Sequence, residues 1–251
     1  MGIQFEPVAG YQQIRAGEVW SLFRADYPEV EEHPPLPPAF ETFGLPAGPQ
    51  FNFGFATGAQ HDRFWFLKPQ KEELIQFQQD RLLHNWRKIG DGTNPYPRFD
   101  AMIVDFEQEA RDLEAFFRGI SAGAGLKVNQ CELTYINHIE LDGSPGLENM
   151  SKWVKFVNGD AFVSDDARHA FRSVIVAPNG EPFGRIICEC NPAVNMAGKA
   201  IFILNITVRG LPHRPNITAA IDFLTMGREM IVELFERITT DSAHRAWGRI
   251  S

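Results

Sequence analysis

Apolar side chains recur at helical spacing between residues 99 and 120: Phe99, Met102, Ile103, Phe106, Ala110, Leu113, Phe116, Phe117 and Ile120, with acids and Arg111 opposite. This predicts a long amphipathic helix, stopped by Gly119, Gly123 and Gly125. A second stripe, Ile217, Ile221, Leu224, Ile231, Leu234, Phe235 and Ile238, predicts another helix behind Pro215-Asn216. A shorter helix over residues 15–27 carries Val19, Trp20, Phe23 and Tyr27 and ends at Pro28. Elsewhere the period falls to two, predicting strands at residues 2–8, 63–67, 74–86, 128–141, 170–176, 183–190 and 200–209. In residues 74–86 alternation is clean at Ile75 and Phe77 and fails near Leu82-Leu83, where a bulge is expected. Residues 200–209 are apolar on both faces, which predicts a central strand.

Laid end to end, residues 1–123 and 124–251 each read strand, helix, antiparallel strands, long helix. The order predicts an α+β fold, long helices packed on a curved antiparallel sheet. The two halves are either similar domains or parts of one continuous domain, and no residue-level repeat relates them. Residues 28–49 hold seven prolines. They read as a semi-rigid surface loop; the PxxP pattern in residues 34–38 lacks the flanking Arg of an SH3-type ligand.

Composition narrows the function classes. The 251 residues are 44% hydrophobic and 22% charged, ordinary for a globular protein, with 21 Phe against 4 Tyr foretelling an aromatic core. A net charge of −8 argues against nucleic-acid binding, which needs cations for phosphates; it permits a basic protein partner, although a solvated acidic surface accounts for it more simply. No apolar run reaches membrane-spanning length, and the opening MGIQFEPV lacks the basic region and apolar core of a signal peptide. Three cysteines, Cys131, Cys188 and Cys190, fit a reducing compartment. A cytoplasmic location is expected.

The densest mixture of apolar and polar side chains is residues 74–99, LIQFQQDRLLHNWRKIGDGTNPYPRF. Arg81, Asn85, Trp86, Arg87, Tyr96 and Arg98 lie here, and Tyr135 and Asn137 join them from the strand at 128–141, where Asn137 falls on the apolar face with Leu133 and Ile139. A buried amide without partners costs a few kcal/mol, so Tyr135 or the Asn85–Arg87 group is expected to bond Asn137. These eight residues form either a buried network that fixes strand register or a polar patch that holds an anion or a partner's acidic side chain. The blocks QFQQDRLLHNWR (76–87), YPRF (96–99) and ELTYINHI (132–139) resemble a sporadically distributed family of uncharacterised bacterial proteins. The resemblance extends to the helix ending Tyr27-Pro28 and the Trp247-Gly248 tail, and departs at 225–228, where a His is expected and none occurs. Patchy distribution implies an accessory role, in bacterial defence or toxin control, and brings no catalytic residue with it.

Metal and cofactor chemistry finds little footing. Cys188 and Cys190 share a strand face, but structural zinc needs four ligands and no second pair is spaced for it. His84 and His138, in the family-like strands, are the histidines to test. No Walker sequence or nucleophile elbow occurs, so no catalytic residue, metal or cofactor is assigned. The reading is a non-catalytic protein-interaction protein. The alternative is a small-molecule binder or enzyme using a sheet–helix cleft, anchored by Arg87, Arg98 and Tyr135.

Overall fold

The computed structural model describes residues 1–44, 62–90, 92–121, 123, 125–160, 163–195 and 197–248. In chain order the elements are β1 (Gly2–Phe5), α1 (Ala16–Phe23), β2 (Glu29–His33), β3 (Arg63–Leu67), β4 (Glu73–Gln78), β5 (Arg81–Trp86) and α2 (Phe99–Ile120). Then follow β6 (Val128–Glu140), α3 (Leu147–Trp153), β7 (His169–Val176), β8 (Pro182–Val194), β9 (Ala200–Gly210), α4 (Ile217–Ile238) and α5 (Asp241–Ala246). The architecture is α+β, with a nine-stranded antiparallel sheet that does not close, in the order β2-β3-β4-β5-β1-β6-β9-β8-β7. Around the β1–β6 pair the order is nearly palindromic. In each half the first strand lies innermost and the meander runs from the sheet's edge inward, β2 to β5 and β7 to β9.

The chain forms two compact units, Met1–Glu132 with Gly210–Thr225, and Leu133–Arg209 with Met226–Ser251. In the first, aromatic rings join sheet to α2: Phe5 meets Phe117 at 5.9 Å, and Tyr11 meets Phe117 at 5.4 Å and Phe77 at 5.9 Å. Edge-to-face pairs like these add to the burial of such rings. In the second, Phe202, Leu204, Ile206 and Val208 make a fully buried face of β9. A Cβ on Gly227 of α4 would lie 3.3 Å from Val208 Cγ1, so glycine sets the closeness of helix to strand there. The C-terminal α5 is capped by Thr240 Oγ1, which accepts from Ala243 N, and Trp247 stacks on Trp153 at 5.6 Å.

Three local expectations need correction. Residues 74–86 are two strands, β4 and β5, because the chain turns at Gln79-Asp80, where Asp80 Oδ1 accepts from both Gln78 Nε2 and Arg81 Nε. The register runs unbroken from Glu73↔Trp86 to Gln78↔Arg81, so alternation fails near Leu82-Leu83 through a turn and not a bulge. Residues 28–49 are not all loop. Glu29–His33 pairs along its whole length with β3 as the sheet's edge strand, its glutamates guarding an open edge. Residues 34–44 follow without regular hydrogen bonding; residues 45–49 lie outside the described part. The amide of Asn137 meets neither Tyr135 nor the Asn85–Arg87 group and donates to Leu204 O at 3.2 Å.

Candidate functional site

The strands β3, β4, β5 and β1 carry polar side chains on both faces, and the two faces use them differently. Cross-strand partners share a face. The registers Phe77↔Leu82↔Ile3 and Ile75↔His84 therefore define the face turned to the helices, while Gln78↔Arg81↔Gln4 and Gln76↔Leu83 define the other.

On the helix side lies a largely buried ionisable cluster, its Lys68 edge partly exposed. His84, 0% exposed, sets Nδ1 at 3.0 and 2.9 Å from the two carboxylate oxygens of Glu109 on α2. A carboxylate only accepts, so Nδ1 carries the proton. Tyr27, just past α1, donates its hydroxyl to Glu109 Oε1 at 2.8 Å, and burial together with the Glu109 charge holds the Tyr27 hydroxyl far above its ordinary range. His84 Nε2 has no hydrogen-bond partner and faces Glu73 Oε2 at 3.8 Å, while the Lys68 ammonium closes onto Glu73 and lies 5.6 Å from the centre of the Tyr27 ring. Lys68 thus neutralises Glu73, and Glu109 is held by two donors, Tyr27 and His84. Chemically this is an oriented imidazole without an opening, since both His84 and Glu109 are buried.

The opposite side is built from neutral amides and an arginine. Gln78, Arg81 and Gln4 form one row across three adjacent strands, and residues 34–39 cross the row as a strap. Gln78 accepts from Leu36 N at 2.8 Å and donates to Leu36 O at 3.0 Å. Gln4 treats Ala39 the same way, accepting from its N at 3.2 Å and donating to its O at 2.8 Å. Between them Arg81 donates to Pro37 O at 3.1 Å and to Gln4 Oε1 at 3.0 Å, and Arg63 on β3 donates to Pro34 O at 3.0 Å. Each carboxamide completes a two-bond ring with main chain, the pairing a neighbouring strand would otherwise supply. A cavity of about 70 Å³ lies under the strap, lined by Leu36, Ala39, Arg81 and Gln130, whose Nε2 has no hydrogen-bond partner.

The eight residues expected to form one patch are dispersed. Arg81 is the buried centre of the strap row. Asn85 accepts from Gln76 Nε2 at 3.0 Å, and Gln76 in turn accepts from Arg63 Nη1 at 2.8 Å. Arg87 donates to Lys71 O at 2.9 Å and lies 5.6 Å from the ring centre of Trp65, on whose face His33 stacks at 3.9 Å. Trp86 is on the helix side and meets the Tyr96 ring edge-on at 5.1 Å. Arg98 is exposed at the start of α2, in the left-handed region with φ +70°, its carbonyl accepting from Met102 N. Tyr135 and Asn137 belong to the second unit.

Glu109, Tyr27, Glu73 and Lys68 were not among the candidate residues. Glu109 was legible: it stands three residues after Phe106 and four before Leu113, on the apolar stripe itself, where a carboxylate demands a buried donor. Of the histidines singled out, His84 is at the centre of the cluster and His138 is exposed. The cysteines are free and buried, and burial pushes the Cys188 and Cys190 thiols up to about 12. No group of His, Cys, Asp or Glu among the described residues is arranged to hold a metal ion, and none of their helices is long and apolar enough to cross a membrane.

Fold and site together define an α+β protein with an open antiparallel sheet, helices on one side of its first-half strands and an amide-held strap on the other. No family model, characterised protein or solved structure matches the chain.

Proposed function

We propose that this chain is a non-catalytic binding protein that engages another protein. The observation that carries the reading is the mounting of the strap. Gln4, Gln78, Arg63 and Arg81 grip its main chain, so their own polar groups are consumed while the strap's Pro34, Pro37 and Phe40 side chains stay exposed. A chain segment fixed through its backbone and left open along its side chains is suited to recognition. Its setting in a cytoplasmic protein accords with three free thiols.

A second reading, acid–base chemistry, has one observation in its favour, the buried and unpartnered Nε2 of an imidazole already oriented by Glu109. It requires a route to that nitrogen.

Affinity capture of the tagged full chain from the cells that make it, with native mass spectrometry of the eluate, separates the two. A stoichiometric protein companion is expected. A retained metabolite without a companion would overturn the binding-protein reading and direct attention to His84.

A further inference from the structure

We infer that residues 34–40 are a ready-made polyproline II ligand, displayed by the sheet for an aromatic-lined groove on a partner protein. The inference rests on the binding-protein reading and names the surface and the partner's chemistry.

Four prolines in residues 34–38 fix φ near the polyproline II value, and each residue before a proline is steered to extended ψ. No residue in residues 34–43 has a positive φ. The clamps report the same helix independently. Gln78 and Gln4 stand two strand spacings apart, roughly 10 Å, and they grip Leu36 and Ala39, three residues apart. Three residues of polyproline II rise about 9 Å, one full turn. The sheet's spacing and the helix's pitch therefore coincide, and the strap crosses β3, β4, β5 and β1 in order, with Pro34, Leu36, Pro37 and Ala39 meeting Arg63, Gln78, Arg81 and Gln4.

One turn of such a helix brings every third residue to the same side. Leu36 and Ala39 form the inner ridge and are half-buried; Pro34, Pro37 and Phe40 form the outer one and are exposed, Phe40 at 49%. An exposed proline ridge with an aromatic at its end is the shape that aromatic grooves read, and a ligand already held in that form loses little entropy on binding. The flanking arginine usual in such ligands is missing from the sequence, and Glu29, Glu31 and Glu32 precede the strap on a chain of net charge −8. The groove's rim is accordingly basic.

The test places a photocrosslinking amino acid at Phe40 of the full chain in the cells that produce it, and a second at the exposed Val104 of α2 as a remote reporter. The expected result is one protein adduct at position 40 whose crosslinked peptide is aromatic-rich. Its yield should fall at least tenfold in the Pro34→Ala/Pro37→Ala double variant and under an excess of synthetic peptide of residues 31–43. That variant keeps the carbonyls that Arg63 and Arg81 grip, and an unchanged melting temperature confirms the fold. Gln4→Ala/Gln78→Ala leaves the ridge intact but frees the strap, and should weaken the adduct by a smaller factor. An adduct insensitive to the double variant and the peptide, or one to lipid or nucleic acid, overturns the inference. A protein adduct at position 104 alone overturns it while leaving the binding-protein reading in place; adducts at neither position count against both.

Discussion

The two halves share an element order and a mirrored strand order, yet they solve burial differently. Among the described residues the buried polar and charged side chains are Glu73, Gln76, Gln78, Arg81, His84, Glu109, Gln130 and Thr239, and all but Thr239 belong to the first unit. The corresponding strands of the second half, β8 and β9, bury Ile186, Cys188, Cys190, Phe202, Leu204 and Ile206. Apolar packing is therefore sufficient for this arrangement of strands and helices. The polar apparatus of the first half is an addition to the fold, and its two parts separate by type. The buried carboxylates and the imidazole lie against the helices; the amides, with Arg81 among them, face outward, where they hold a segment of chain.

The comparison breaks most sharply at Glu109. Glu109→Ala leaves His84 and Tyr27 buried without their acceptor, and unfolding in urea should register a loss of about 3–5 kcal/mol. The double variant His84→Leu/Glu109→Leu should recover much of it, because an apolar pair makes the first half resemble the second. A cost below about 1 kcal/mol for Glu109→Ala would show that the cluster is not held by its charges. In the second half the large effect comes from an apolar truncation: Leu204→Ala should cost about 2–5 kcal/mol, whereas Asn137→Ala removes one 3.2 Å bond and should cost about 1 kcal/mol or less.

The strap occupies the next tier. Gln78→Ala or Gln4→Ala each removes two bonds to partly exposed main chain, and about 1–2 kcal/mol is expected from either. Together they should cost less than their sum, since a strap loosened at one clamp gains less from the other. Amide exchange at Leu36 and Ala39 should accelerate in both single variants while that of Phe77 does not; uniform acceleration would mean that the clamps support the whole sheet.

The smallest effect at neutral pH comes from the thiols, and it grows with alkalinity. Cys188 and Cys190 stay protonated in the fold to about 12, whereas unfolded cysteines ionise from about 9. Above pH 9 the unfolded chain has released protons that the folded chain keeps, so stability should fall as pH climbs toward 12. Cys188→Ala/Cys190→Ala should lessen the slope of that part of a denaturation–pH profile, the buried Cys131, Tyr11 and Tyr27 keeping the remainder, and leave the profile below pH 8 unchanged.

Much of the architecture could be read from periodicity alone. The stripes of α2 and α4 are long and have one dominant period, so both helices emerge over residues 99–120 and 217–238. The division of residues 74–86 could not be read, because Gln79-Asp80 lacks a turn glycine and the strands on either side are almost continuously apolar and amide-bearing. The polar character of this stretch was visible, but not its purpose. Gln4 and Gln78 bond the main chain of Leu36 and Ala39, and main-chain contacts leave no trace in the identity of the residues they grip. Asn137 misled for the same reason, its partner being the carbonyl of Leu204.

The position of β1 shapes the biogenesis of the chain. Ile3 pairs with Leu82 on one side and Cys131 on the other. At roughly 5–20 residues per second of synthesis, the second of these neighbours follows Ile3 by on the order of ten seconds. Throughout that interval β1 can pair with β5 alone, and its other edge stays bare. Pairing a strand with partners so distant along the chain raises contact order, and chains of high contact order fold slowly.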